Sequence, residues 1–327
     1  MNDQEFTIWC NIDFTATQES ERELLLKGVG SHRLITFAPN QDGREGESRA
    51  VLRTADIGFG YPDAQAVAEC ARLRWVQLHS AGYTTFDLSD IKQALTRRGM
   101  ILTNSSDVYD EPCAQHLLAM ITSVARGLPL ALDVQRGDKS WPVSAMRPTL
   151  RLLNEQTVLM LGFGSIARRL TELLLPLKMN LIAVRREISG DEPIPINKSS
   201  AVDEFLPTAD HVVNILPANE QTKNFLSAER LAKLKPGAIV YNIGRGSTLD
   251  QTALIKELRS GRIAAAYLDV TDPEPLPPEH PLWETPNCYI TPHLAGGCDR
   301  EKKRQVEHFL DNLRRFEQGQ PLRNSIW

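Results

Sequence analysis

The sequence is short of the residues that point to metal, disulfide or electron-transfer chemistry. Its 327 residues include only five cysteines, and no two of them form a C-x-x-C pair, so neither a zinc site nor a redox dithiol is favoured. We therefore expect no metal site and a reducing, cytoplasmic compartment. The cysteines are Cys10, Cys70, Cys113, Cys288 and Cys298.

Signals for a membrane or for nucleic acid are also missing. The first five residues are acidic and polar where a secretory signal would be basic and then apolar. The most apolar segments, Leu173–Leu177 and Ile263–Val270, fall far short of the roughly 18 residues that a membrane span needs. A net charge of −4 provides no basic field for nucleic acid. We expect a soluble protein that binds neither a membrane nor nucleic acid. Binding of an anionic small molecule would need locally placed cations.

What is present is an ordinary globular composition in a chain too long for one core. Apolar residues make up 42% and charged residues 24% of the sequence. Single hydrophobic cores stop growing at roughly 250–300 residues, so two domains are expected.

The first block of the chain alternates short apolar runs with amphipathic segments and ends near Ser105. This alternation predicts strands and helices, and hence a parallel sheet covered on both faces. A helix predicted over Pro112–Arg126 leads into a looser stretch, 137–148, where a linker or a protruding arm is expected. The predicted strands are Thr7–Asn11, Leu34–Phe37, Asp56–Phe59, Trp75–His79 and Ile101–Thr103.

A second alternation begins at Thr157 and predicts six strands, a number that suits a doubly wound sheet. The final amphipathic helix, predicted over Arg300–Gln318, has no strand after it and is expected to pack back on the first block, which makes that domain discontinuous. The predicted strands are Thr157–Leu161, Leu181–Val184, His211–Ile215, Ala238–Asn242, Ala264–Asp269 and Cys288–Thr291.

A glycine motif joins the first of these strands to a helix. Gly162 permits a tight turn, Gly164 lets backbone N–H groups approach a pyrophosphate, and Ala167 allows the helix to pack closely on its strand. The N-terminus of the helix, at Ser165 and Ile166, adds partial positive charge for the phosphates. The motif in this context predicts a dinucleotide-binding site.

The end of the next strand indicates which dinucleotide is bound. Enzymes that use NAD usually carry a carboxylate there for the ribose 2′-OH, but this chain has Arg185 and Arg186. A guanidinium binds a 2′-phosphate that a carboxylate would repel. We predict a preference for NADP over NAD; the alternative is that both arginines are solvated loop charges.

Three polar groups follow the last three strands of the second block. Arg245 comes after 238–242, Glu274 after 264–269 and His293 after 288–291. Ligands collect at the carboxyl ends of strands in open α/β sheets, so a cation, a carboxylate and an imidazole are expected to converge there. Separately, Glu274 could be part of a turn and Arg245 a structural ion pair.

These motifs, in this order, resemble the D-isomer-specific 2-hydroxyacid dehydrogenase family over nearly the whole chain. The resemblance implies an α/β protein in which a flavodoxin-like substrate domain and a Rossmann coenzyme domain enclose a cleft, and it implies a homodimer. It places the substrate domain at 1–105 and 297–327 and the NAD(P)-binding domain at 106–296. The matching segments are Gly162–Ala167, Leu216-Pro217, Gln221-Thr222, Lys235–Gly237, Arg245-Gly246, Asp269-Val270, Glu274-Pro275 and Pro292-His293.

The resemblance also implies roles for single residues. His293 is expected to be the general acid and base, Glu274 the carboxylate that favours its imidazolium form, and Arg245 the clamp on the substrate. Asp269 resembles the residue that orients the nicotinamide. Leu216, Pro217, Thr222, Ile243 and Gly244 resemble the wall of the cofactor site.

Two further segments resemble substrate contacts. The loop of Ser80, Ala81, Gly82 and Tyr83 resembles one whose N–H groups bind the substrate carboxylate, with a plain strand-to-helix turn as the alternative. Trp141 resembles a residue that reaches the partner's active site, but core or interface packing fits it equally well. The remaining histidines, His32, His79, His116, His211, His280 and His308, are expected to be structural.

The expected activity is reduction of a small 2-keto acid, with glyoxylate or hydroxypyruvate as first choice and phosphoglycerate, pyruvate or longer acids as alternatives. Gln115, Ala167 and the pair Ala295-Gly296 depart from the usual family pattern, and Tyr83 is expected to narrow the substrate loop, which leaves the subfamily open. A dinucleotide-sensing, corepressor-like protein with little turnover is the competing hypothesis from another functional class.

Overall fold

The computed structural model describes residues 5–188, 190 and 192–327. It divides into two compact units, the first formed by the chain up to Tyr109 together with Cys298–Trp327, the second by Asp110–Gly297. Each unit is built on a parallel sheet with helices between its strands, which confirms the predicted fold class.

The first unit has a five-stranded parallel sheet in the order β2-β1-β3-β4-β5. This is the strand order of flavodoxin-like doubly wound folds. The predicted strands are all present, with ends that shift by one residue at most. The strands are β1 Thr7–Cys10, β2 Arg33–Thr36, β3 Ile57–Gly60, β4 Trp75–Leu78 and β5 Ile101–Thr103.

Helices cover both faces of this sheet, and the last helix of the chain is one of them. Phe309 on that helix stacks on Phe59 at a ring-centroid distance of 4.0 Å and on Trp75 at 5.4 Å, and all three side chains are fully buried. The C-terminal helix therefore supplies part of the core of the first unit. The helices are α1 Glu19–Gly28, α2 Gly46–Thr54, α3 Ala64–Glu69, α4 Ser89–Arg97 and α12 Glu301–Glu317.

Helix α5 covers Ser106–Ala125, so the prediction that it begins at Pro112 is wrong. Its true start is set by Asn104, whose Oδ1 accepts hydrogen bonds from the N–H and the hydroxyl of Ser106. The stretch predicted to be loose, 137–148, contains a short helix, α7 Val143–Met146, after α6 Leu128–Arg136. No single helix of the described residues is long and apolar enough to cross a membrane, and α5 with α6 reaches that length only across a 70° bend.

The second unit has a seven-stranded parallel sheet in the order β12-β11-β10-β9-β6-β7-β8. Read from β8, this is the Rossmann order with a seventh strand added, and the order reverses between β6 and β9. The strands are β6 Thr157–Leu161, β7 Asn180–Arg185, β8 Ile196–Lys198, β9 His211–Asn214, β10 Ala238–Asn242, β11 Ile263–Leu268 and β12 Cys288–Ile290.

The count of six strands was wrong because β8 was missed. This edge strand has three residues, only one of them apolar, and it follows Pro195. An edge strand pairs on one side only and needs no long apolar pattern. The helices between the strands of the second unit are α8 Ser165–Leu174, α9 Val202–Phe205, α10 Ala228–Lys233 and α11 Gln251–Arg259.

The register of this sheet brings the ends of three strands level. Asn242 of β10 pairs with Leu268 of β11, and Leu268 pairs with Ile290 of β12. Adjacent strands lie about 4.8 Å apart. The loops that follow β10, β11 and β12 therefore start side by side at one edge of the sheet.

Candidate active site

The glycine loop between β6 and α8 has the geometry that the motif predicted. Gly162 has a φ of +96°, a left-handed conformation that favours glycine, and Ala167 is fully buried against the sheet. A Cβ added at Gly164 would meet no heavy atom within 4 Å. Because α8 begins at Ser165, the N–H groups of its first turn, including that of Ile166, face out of the helix end.

The two arginines at the end of β7 have different surroundings. Arg185 Nη1 lies 3.4 Å from Oε1 of Glu192, whose side chain is only 4% exposed. The N–H of Gly190 donates to the other oxygen of Glu192 at 2.7 Å. Arg186, in contrast, is exposed. Arg185 is thus held by a carboxylate that sequence patterns did not identify, and Arg186 projects into solvent.

The loops after β9 and β10 pack directly on each other. A Cβ on Gly244 would lie 2.5 Å from the carbonyl oxygen of Leu216, so only glycine allows this approach. Ile243 beside it is 7% exposed. Thr222 donates its hydroxyl to the carbonyl of Pro217 at 2.6 Å and closes the β9 loop. The structure therefore brings together all five residues predicted to form the wall of the cofactor site.

Arg245 sits in a loop that buried polar side chains hold from below. Its carbonyl accepts from Asn242 Nδ2 at 3.1 Å and from the Thr248 hydroxyl at 2.6 Å, and Asn214 Nδ2 donates to that hydroxyl at 2.7 Å. Asn214, Asn242 and Thr248 are all fully buried. The sequence analysis missed these supports, although a polar residue closing a buried apolar strand marks two of them.

Asp269 directly follows β11, and its carboxylate organises the loop after β12. Oδ1 accepts from the Thr291 hydroxyl at 2.6 Å and from the N–H of Leu294 at 2.9 Å, and Oδ2 accepts from the N–H of Ala295 at 2.9 Å. The side chain is 2% exposed. The residue expected to orient the nicotinamide is therefore also an anchor of the loop that carries His293.

His293 adopts a backbone conformation that is unusual for a histidine. Its φ is +49°, and such a conformation costs on the order of 1 kcal/mol for a residue with a Cβ. It persists because the N–H of His293 donates to the carbonyl of Asp269 at 2.9 Å and the next two N–H groups donate to the Asp269 carboxylate. The loop is fixed on both sides of the histidine.

The imidazole of His293 pairs with Glu274, as the family resemblance implied. Nδ1 lies 2.8 Å from Glu274 Oε1, and the two side chains are 52% and 38% exposed. Since Nδ1 is engaged by the carboxylate, Nε2 is the ring nitrogen that remains to meet a reactant. An imidazole backed by a carboxylate can both donate and accept a proton.

A buried thiol near these groups reports on the local field. Burial raises the pKa of Cys113 to about 12, with Asp269 and Asp110 acting in the same direction and Arg245 opposing them. The charges of Asp269 and Arg245 thus act on the same thiol, and Cys113 stays protonated.

Within the described residues, no group of three His, Cys, Asp or Glu side chains is placed to hold a metal ion.

The other predicted substrate contacts lie elsewhere in the chain. In the first unit, the carbonyls of Ser80 and Ala81 accept hydrogen bonds from Ser105 and Asn104, while no N–H of residues 80–83 has an acceptor among the described residues. Gly82 and Tyr83 complete this loop. In the second unit, Trp141 precedes α7 and is 90% exposed.

The sequence of this chain is similar to those of known proteins. A family model described as D-isomer specific 2-hydroxyacid dehydrogenase, NAD binding domain, matches residues 118–295. Glyoxylate/hydroxypyruvate reductase B of Citrobacter koseri is 32% identical over 92% of this chain and 94% of its own length. Glyoxylate reductase of Korarchaeum cryptofilum is 32% identical over 79% of this chain and 77% of its own length.

Solved structures share the fold of this chain. A D-isomer specific 2-hydroxyacid dehydrogenase from Xanthobacter autotrophicus Py2, in complex with NADPH and MES, superposes with a TM-score of 0.80 at 25% identity over 99% of this chain and 98% of that one. The chain therefore belongs to the D-isomer specific 2-hydroxyacid dehydrogenase family and is an NAD(P)-dependent oxidoreductase of 2-hydroxy acids.

Proposed function

We propose that this enzyme reduces a small 2-keto acid, glyoxylate or hydroxypyruvate in the first place, with NADPH as the preferred cofactor. The observation that carries the proposal is the His293–Glu274 pair at the same sheet edge as Arg245. Relatives that are 32% identical bear the names glyoxylate reductase and glyoxylate/hydroxypyruvate reductase B.

The second unit has the features that a bound dinucleotide requires. The space above Gly164 is open, so nothing in the fold itself demands a glycine there, whereas a pyrophosphate lying against the backbone would. We assign the phosphates to Gly162, Gly164, Ser165 and Ile166, and the nicotinamide end to Asp269 and the wall residues. When bound, the nicotinamide supplies or accepts a hydride at C2 of the substrate.

The residues of the chain then supply binding and proton transfer. The planar guanidinium of Arg245 offers two parallel donors to the substrate carboxylate and leaves one face of C2 open. As negative charge develops on the C2 oxygen, Arg245 stabilises it and His293 Nε2 donates a proton to it. Glu274 stabilises the imidazolium before that transfer. In the oxidative direction, neutral His293 takes the hydroxyl proton.

We expect purified protein to oxidise NADPH when it is mixed with 2-keto acids, and to do so fastest with glyoxylate or hydroxypyruvate. His293→Ala should lower kcat by roughly 10²–10⁴-fold, the usual contribution of a general acid. The measurement is NADPH absorbance across a panel of 2-keto acids. NADPH binding without turnover of any of them would favour the dinucleotide-sensing alternative.

The direction of the pH dependence tests the role of His293 more closely. Reduction needs the imidazolium and oxidation needs the neutral ring, so kcat/KM for reduction should fall as pH rises and that for oxidation should rise. Profiles that run parallel in the two directions would contradict this assignment.

Gly164→Ala separates cofactor binding from folding. The added methyl group meets open space in the protein, so the melting temperature should change little, as for other exposed substitutions. It would occupy the path of the pyrophosphate, and we expect KM for NADPH to rise about tenfold or more. Gly244→Ala is the matched control, since its Cβ would strike the Leu216 carbonyl and lower the melting temperature. An unchanged KM for Gly164→Ala would remove this loop from the cofactor site.

The preference for NADPH depends on charge at the end of β7. Arg186 is exposed and available to a 2′-phosphate, whereas Arg185 is paired with Glu192. Arg185, paired with Glu192, then orders the loop after β7. The NADPH in the Xanthobacter autotrophicus structure is consistent with this preference.

Arg186→Gln should lower kcat/KM for NADPH by about 10- to 100-fold, the cost of losing one charge-assisted hydrogen bond, and leave the value for NADH nearly unchanged. Arg185→Gln is the comparison variant, because it removes the cation that pairs with the buried Glu192 carboxylate and should affect both cofactors and stability. A wild-type enzyme that prefers NADH, or treats the two equally, would contradict the proposal.

We also propose that the enzyme is a homodimer that pairs through the arm formed by α6, α7 and the segment between them. This arm exposes Leu128, Leu130, Leu132, Trp141 and Val143 by 44% or more, in an apolar concentration that marks interfaces. Trp141 beside this surface either packs in the interface or reaches the partner's substrate site.

Sedimentation equilibrium should give twice the chain mass of 36.6 kDa, and a double Leu130→Asp, Leu132→Asp variant should give the single mass. Trp141→Ala in a persisting dimer should raise KM for the keto acid if the side chain reaches the partner's site, and leave it unchanged if it only packs. A monomer at all concentrations would refute the dimer.

Two assignments complete the proposal. The first unit is the substrate domain, in which the N–H groups of the loop 80–83 bind the carboxylate, and the second unit is the coenzyme domain. The location is the cytoplasm, which suits five unpaired cysteines. Recovery of the protein from a membrane or secreted fraction would contradict that location.

A further inference from the structure

The loop that carries His293 is supported by one more residue, from a distant helix. Nε2 of His116, on α5, lies 3.3 Å from the Thr291 hydroxyl oxygen and 3.8 Å from Asp269 Oδ1. His116 and Thr291 are 175 positions apart in the sequence. Neither the reaction chemistry nor the family resemblance assigned a role to this histidine.

The direction of the hydrogen bonds in this cluster follows from the protons available. The Thr291 hydroxyl donates its single proton to Asp269 Oδ1 at 2.6 Å, so toward His116 it can only accept. His116 must therefore carry a proton on Nε2. Burial lowers the pKa of His116 and Asp269 partly opposes this, so that near neutral pH the ring holds one proton.

A series of hydrogen bonds, the His116–Thr291–Asp269 relay, thus runs from α5 to the loop after β12. His116 donates to Thr291, Thr291 donates to Asp269, and the Asp269 carboxylate accepts from the N–H groups of Leu294 and Ala295. Those two N–H groups directly follow His293, whose left-handed backbone depends on being held. Without the donor from His116, the Thr291 hydroxyl loses one of the two contacts that fix its orientation.

We propose that His116 is a positioning residue for the reaction: acting through Thr291 and Asp269, it holds the backbone that aims His293 at the substrate. The proposal rests on the assigned role of His293 as acid and base. His116 itself makes no contact with the reacting atoms in this scheme. Its effect should appear in kcat, because a misplaced acid slows proton transfer, and not in cofactor binding.

Two substitutions, each by a residue of similar shape to the one it replaces, test the relay. His116→Leu removes the donor, and Thr291→Val removes the hydroxyl; each should lower kcat about tenfold, with KM for NADPH within twofold of wild type. The double variant should be no slower than about the slower single variant, because both break the same chain. His116→Gln, which keeps an N–H donor, should recover most of kcat, and Thr291→Ser should behave like wild type. His280→Gln, outside the relay, is the control.

Three results would overturn the proposal. In the first, His116→Leu folds and keeps the wild-type kcat. In the second, the two losses multiply in the double variant, as they do for independent sites. In the third, KM for NADPH rises while kcat is unchanged, which would place His116 against the cofactor. If His116→Leu does not fold, equal kcat values for Thr291→Val and Thr291→Ser would overturn it as well.

A measurement that does not depend on enzyme turnover tests the same relay. Long-range ¹H–¹⁵N spectra of histidine-labelled protein should show the proton of His116 on Nε2 near neutral pH, and a proton on Nδ1 would overturn the relay. The two proposals fail separately. A wild-type protein that turns over no 2-keto acid defeats the proposed function, whereas an active enzyme indifferent to His116→Leu defeats only this inference.

Discussion

The buried carboxylate of Asp269 is the interaction on which the candidate site depends. An ionised carboxylate at 2% exposure would be costly without partners, and here a hydroxyl and two backbone N–H groups satisfy its oxygens. The same contacts hold His293 at a φ of +49°, which a free loop would not adopt. One set of contacts thus satisfies the buried carboxylate of Asp269 and holds the unusual backbone conformation of His293.

Buried polar residues at neighbouring strand ends extend this arrangement across the sheet. Asn214 ends β9, Asn242 ends β10 and Asp269 follows β11; the first two are fully buried, and each bonds to the backbone or a side chain of the loops that follow. A parallel sheet places such residues side by side at one edge. The groups assigned to the substrate, Arg245 and His293, can then remain partly exposed while the residues that support them are buried.

Charge in this protein is placed locally rather than spread over the surface. The chain carries a net charge of −4, yet the assigned ligands are all anions. Arg245 is held by bonds to its own loop, and Arg186 extends from the end of β7. Glu192 compensates Arg185, so that the number of uncompensated cations at the end of β7 is smaller than the sequence alone indicates. In the proposed function, anion recognition depends on the positions of single guanidinium groups, since the net charge of the chain is negative.

The sequence by itself determined most of the strands, the two-unit α/β architecture and the glycine loop, because apolar periodicity, turn residues and motif spacing are local signals. The pairing of Glu274 with His293 was implied by the family resemblance. It misplaced the start of α5 and missed β8, where a side-chain cap and a three-residue edge strand leave weak local patterns. Only the tertiary structure decided that Glu192 holds Arg185 and that His116 reaches Thr291. The contact of His116 with Thr291 joins residues 175 positions apart, and it exists only once the path of the chain through the sheet and its helices is set.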